Sequence, residues 1–178
     1  MLEGIVRESI NTGATKALRK DGYLIANIYG KGFENINAAF KSNEYIRTVR
    51  NKETIVFPVT VAGKELNVVV QSYESHAVTG NLLHVDLMVA QTGLESTFHI
   101  PIVAVGEALG LKNKGLVHMA KERLTVRCTP ENLMNKIEID VTEMDVNAST
   151  LVRDLPELAN ITILDSDRVA LISIIKAK

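Results

Sequence analysis

The run TIVFPVTVAGKELNVVVQSYESHAVTGNLLHVDLMVA, Thr54 to Ala90, decides the fold class. Its first segment, Thr54 to Val61, is rich in β-branched residues and reads as a strand. Ala62-Gly63-Lys64 is a hairpin signal, and Glu65 to Tyr73 is the returning strand. Side chains alternate along a strand, so Leu66, Val68 and Val70 share one face while Asn67, Val69, Gln71 and Tyr73 share the other. Thr79-Gly80-Asn81 makes a second tight turn into Leu82 to Ala90, where His84 and Asp86 point one way and Leu83, Val85 and Leu87 the other. Gln71, His84 and Asp86 therefore lie on strand faces that read as the outside of a small barrel.

Upstream, Leu2 to Arg7 reads as a first strand, with Val6 and Arg7 on opposite faces. Then comes NTGATKALRKDGYLIANIYG, Asn11 to Gly30. If Thr15 caps a short helix here, its hydroxyl satisfies an orphan amide, and Lys16, Arg19 and Lys20 fall at i, i+3 and i+4 on one face. Gly22 stops the helix, and an apolar strand ends in Tyr29-Gly30. A cationic helix face beside an aromatic suits phosphate and sugar; a solvated amphipathic turn is the plainer reading, and the stretch alone leaves both open. Asn35 to Phe40 is a further strand, and Ser42 caps a helix through about Val49 whose Tyr45, Ile46 and Val49 form an apolar stripe. Lys41, Arg47 and Arg50, offset by Glu44, read as a solvated face. The first ninety residues thus hold about six strands and two short helices.

Gln91-Thr92-Gly93 changes the texture and divides the chain into domains 1–91 and 92–178. Beyond it, Thr97 to Val105 reads as a strand interrupted by Pro101, and Gly106 to Gly115 as a flexible surface loop carrying Lys112 and Lys114. Leu116 to Met119, Leu124 to Cys128, Lys136 to Val141, Thr150 to Val152, Ile161 to Leu164 and Val169 to Ile175 are strands, with Asp165-Ser166-Asp167 as a turn between the last two. The fold class is mainly β throughout.

Composition excludes several functions. Net charge is −1, so any nucleic-acid site is a local patch and not a global basic field. Residues 1–90 carry 10 Lys+Arg against 9 Asp+Glu, and residues 91–178 carry 10 against 12, so the second half is the poorer candidate for phosphate. Aromatics make up only 4%, which argues against serial base stacking. A single cysteine, Cys128, allows no internal disulfide and no cysteine zinc cluster, and fits a reducing cytosol. The start Met1-Leu2-Glu3-Gly4 is not a signal peptide, and the run Val169 to Ile175 is far short of the ~20 residues that span a bilayer. No phosphate-binding glycine motif or zinc-protease motif occurs. His84 and Asp86 form at most an acid–base pair with no nucleophile in motif context, so the reading is non-enzymatic, without cofactor or metal.

Arg7, the GATKALRK run at Gly13–Lys20, IYG at Ile28–Gly30, VVVQ at Val68–Gln71 and HVDL at His84–Leu87 together resemble the large-subunit ribosomal protein twenty-five family. PIVAVGEALG at Pro101–Gly110, LTVRCTP at Leu124–Pro130 and IEIDV at Ile137–Val141 resemble the extra β domain of its two-domain form, the general stress protein Ctc type. The resemblance implies an N-terminal six-stranded β-barrel with short helices, followed by a C-terminal β-rich domain. It also implies a cytoplasmic, ribosome-associated protein that binds 5S rRNA at the internal loop called loop E and neighbours large-subunit proteins. The family's RNA-facing roles fall on Arg7, expected at phosphate, on Thr15, Lys16, Arg19, Lys20 and Tyr29, and on Gln71, His84 and Asp86. His76 matches a frequent position too. Thr15 stands for the usual serine, Lys16 and Ala17 for arginines, and Ile25 for a proline. The rival expectation is a ribosome-associated interaction or stress module anchored mainly by its C-terminal β domain.

Overall fold

Ala62 and Gly63 both take positive φ, 54° and 73°, which makes the two-residue turn whose twist suits a hairpin. It joins β4 (Phe57–Val61) to β5 (Lys64–Ser75), with Phe57 opposite Val68 and Val61 opposite Lys64. In the computed structural model, which describes residues 2–52, 54–156, 158 and 160–176, this hairpin is part of a closed barrel. Its other strands are β1 (Leu2–Val6), β2 (Tyr23–Gly30), β3 (Phe33–Lys41) and β6 (Leu82–Val89). The order β1-β3-β2-β6-β5-β4 closes through a parallel β1–β4 pairing that sets Leu2 opposite Val59. Closure leaves no unpaired edge to attract another chain.

The alternation read from the sequence fills the barrel. Leu24, Ala26 and Ile28 of β2, Ala38 and Phe40 of β3, Val59 and Val61 of β4, and Val85 and Leu87 of β6 are fully buried. Phe40 faces Gly4 across the β1–β3 ladder, and a Cβ at Gly4 would run into its ring. Glycine there is a matter of space, and it frees a burial worth about 1.5–3 kcal/mol. Helix α2 (Ser42–Arg50) adds Tyr45 to the same core, its ring 6.5 Å from that of Phe40. Lys41, not Ser42, occupies the N-cap position and supplies no side-chain cap; the Ser42 amide donates to Gly22 O at 3.0 Å. The strand expected from Thr54 starts only at Phe57.

The chain divides into two units, Met1–Leu94 and Glu95–Lys178. In the second, β10 (Ile137–Asp140), β7 (Ser96–Val105), β9 (Arg123–Cys128) and β12 (Thr162–Ile163) form one sheet in that order. β11 (Ser149–Leu151), β13 (Ala170–Lys176) and β8 (Gly115–Met119) form another. Phe98, Ile100, Leu124, Val126, Leu171, Ile172 and Ile174 are fully buried there. Pro101 does not break β7. It lies where β7 leaves its ladder with β9 and takes up β10, so its missing N–H costs little. The expected loop Gly106 to Gly115 contains a short helix, α3 (Leu109–Lys112), set against β13, where a Cβ on the buried Gly110 would press on Ile174. Four helical residues are too few to leave a periodic signal.

Candidate nucleic-acid interface

Helix α1 (Thr12–Lys20) has no buried residue, so polar ties hold much of it in place. Asn11 is its N-cap: Asn11 Oδ1 accepts from the Ala14 amide at 2.7 Å. Thr15, expected as the cap, lies a turn inside. Its Oγ1 donates to Asn11 O at 3.0 Å and accepts from Arg7 Nη2 at 2.6 Å. Arg7 is 8% exposed, and its amide extends the β1–β3 ladder by donating to Asn37 O at 2.8 Å. Its guanidinium thus fastens the first turn of α1 to the barrel. At the other end Arg19 Nη2 donates to Leu83 O at 3.0 Å, beside His84. Arg19 and Lys20 in the last turn suit the negative end of the helix dipole. Gly22, at φ 82°, turns the chain into β2. Lys16, Arg19 and Lys20 are exposed.

The neighbouring wall is built by register. Ile25 of β2 faces His84 of β6, which faces Glu74 of β5. Two residues on, Asn37, Asn27, Asp86 and Ser72 form a polar row across β3, β2, β6 and β5. Ser72 Oγ donates to Asp86 Oδ2. Next, Tyr29 faces Met88. His84 Nδ1 and Asp86 Oδ1 are 3.7 Å apart, an electrostatic contact too long for a hydrogen bond. Burial first, and the Asp86 charge second, push the Tyr29 phenol above its ordinary range, so it stays a donor at neutral pH.

Most of the predicted residues are therefore brought to one wall: Lys16, Arg19 and Lys20 on α1, Tyr29 on β2, His84 and Asp86 on β6. Two are placed otherwise than strict alternation suggests. Arg7 lies beneath α1. Gln71 is the extra residue of a β-bulge, half-buried, and Ser72 sits opposite Asp86. Beyond the bulge the faces exchange, so Tyr73 pairs with the inward Val85 and Glu74 with His84. Asn27, Asn37 and Ser72 were not picked out from the sequence. Asn27 could have been, since an amide two residues before Tyr29 in an apolar strand shares its face. His76 Nδ1 accepts from the Val78 and Thr79 amides, each at 3.2 Å, and so shapes the β5–β6 turn.

The arrangement offers cations, a phenol, amides, a carboxylate and a hydroxyl on the outer wall of the barrel. That composition suits contacts to phosphate and sugar and to exposed base edges. Residues 2–87 match the model of the ribosomal L25p family, and residues 95–178 that of the ribosomal protein TL5 C-terminal domain. Over 178 residues covering all of both chains, the sequence is 63% identical to the large ribosomal subunit protein bL25 of Sulfurimonas denitrificans. On the same full coverage it is 56% identical to that of Wolinella succinogenes and 57% to that of Campylobacter lari. The chain belongs to the ribosomal L25p family, in a form whose second unit is the TL5 C-terminal domain, and is a structural ribosomal protein and not an enzyme.

Proposed function

We propose that the first unit binds 5S rRNA at its irregular internal loop, loop E, and that the protein serves in the cytoplasm as part of the large ribosomal subunit. The observation that carries this reading is the convergence of the cationic face of α1 with the row Asn37-Asn27-Asp86-Ser72, through the Arg19–Leu83 hydrogen bond beside His84. Regular A-form RNA hides its major groove and offers mostly backbone and 2′-hydroxyls, whereas an internal loop presents a distinct shape and reachable base edges. A nearly neutral protein gains selectivity there from a shaped polar wall, with a few cations supplying salt-dependent affinity. Lys16, Arg19 and Lys20 take phosphates. Tyr29 donates to the RNA backbone, and His84, Asp86 and their row contact sugars and base edges.

A gel shift with 5S rRNA tests this. Intact 5S rRNA should be retarded, and 5S rRNA with loop E replaced by regular duplex should not. Equal retardation of both would overturn the assignment to loop E, and retardation of neither would overturn 5S binding.

A further inference from the structure

The second unit is net negative, yet its register gathers cations on one part of one sheet face. Along β9, Leu124, Val126 and Cys128 are buried, so Arg123, Thr125 and Arg127 point outward together. Arg127 is exposed and flanked by two hydroxyls, Thr97 of β7 on one side and Thr162 of β12 on the other. Arg123 faces Pro101, and Thr125 faces His99. Lys121 reaches the same place from just before β9, with Nζ 2.5 Å from Asp165 Oδ1, and Asp165 also accepts from the Thr125 amide at 2.8 Å. Burial, followed by the Arg123 charge, holds the His99 pKa below its ordinary range; Lys121 adds to this and Asp165 opposes it. His99 is therefore neutral at pH 7 and adds no charge to this face.

We propose that this outer face of β9 is a second RNA-binding surface, which takes the phosphodiester backbone of ribosomal RNA on Arg123 and Arg127. The two arginines are four residues apart, about 13 Å along a strand, far enough to engage separate phosphates. Hydroxyls around them add uncharged donors to phosphate oxygens. A protein partner fits less well, because the anchors of protein interfaces sit in well-packed, desolvated pockets, whereas Arg127 stands exposed on a strand face. The exposed valines of this face, Val103 and Val105, lie instead at its other end, beside Asp140 and beside Glu138, which is ion-paired with Lys136, and one exposed leucine, Leu164, borders Thr125. The Asp140 carboxylate at that end disfavours phosphate and so favours the arginine half of the face for RNA.

The test uses the full chain and two probes: 5S rRNA alone, and large subunits stripped of this protein. It rests on the ribosomal role and not on the loop E assignment. Arg123→Gln/Arg127→Gln should bind 5S rRNA as the parent does. Its affinity for the subunits should fall about tenfold, and the slope of log K against log salt should drop by about two. Arg127→Gln alone, at an exposed site that leaves the core untouched, should show about half that loss of slope. Arg123→Lys/Arg127→Lys should restore it. Unchanged subunit affinity and slope would overturn the proposal. A fall in affinity at constant slope would overturn it as well, in favour of a protein neighbour. Failure of the parent to bind 5S rRNA would sink the loop E reading while leaving this one to the subunit data.

Discussion

The Arg7 guanidinium ties the first turn of α1 to the barrel through Thr15, and it does so from a buried position. Hydrogen bonds from charged donors contribute about 1.5–3 kcal/mol, so Arg7→Ala should lower unfolding free energy by about that much in urea titration. If stability is unchanged, Arg7 is no tie. Lys16 and Lys20 are exposed, and their roles separate from folding. Lys16→Ala or Lys20→Ala should leave the melting temperature within error and reduce the salt slope of 5S binding by about one each. The cations of α1 were legible in the sequence because helical spacing alone puts them on one face. The role of Arg7 was not. Whether an arginine at the end of a strand reaches solvent or turns under a helix depends on where that helix lands, which spacing does not encode.

Strand pairing explains what alternation revealed and what it missed. The inward sets of β2, β4 and β6 follow period two, and the six-stranded barrel with its two helices is the one the sequence predicts. The bulge at Gln71 breaks the rule, because one inserted residue exchanges every later face of β5. No residue type in VVVQSYES marks it. The cross-strand fit of Gly4 to Phe40 was equally invisible, being a contact between residues 36 positions apart. Gly4→Ala should therefore destabilise the first unit by about 1–3 kcal/mol through overpacking, read as a lower urea midpoint. A neutral result would mean that the Phe40 ring can move aside. Asn11 and Thr15 are both residue types that cap helices, and the Asn11–Ala14 hydrogen bond gives that role to Asn11.

Across the protein, charge is organised by placement more than by count. Totals made the second half a poor partner for phosphate, yet totals average over a face that register polarises. Among the described residues of the same unit, three carboxyls lie below their ordinary range. At Asp165 burial pushes the pKa up, but Lys121 and the Thr125 amide outweigh it. Thr142 lowers Asp140, and Asn113 followed by the Val146 amide lowers Asp145. A folded pKa below the unfolded one gives stability that is complete above about pH 4 and is lost as pH falls through the folded value. Hydrogen-exchange protection of β9 and β13 should therefore decline on acidification below about pH 4, and Asp165→Asn should flatten that decline. The same pH dependence in the variant would remove Asp165 from the account. The most direct test of the whole is to map backbone amide NMR shifts of the full chain as 5S rRNA is added. The largest changes should fall on Arg19, Asn27, Tyr29, Ser72, His84 and Asp86. Changes centred instead on α2, with that wall unmoved, would contradict the reading.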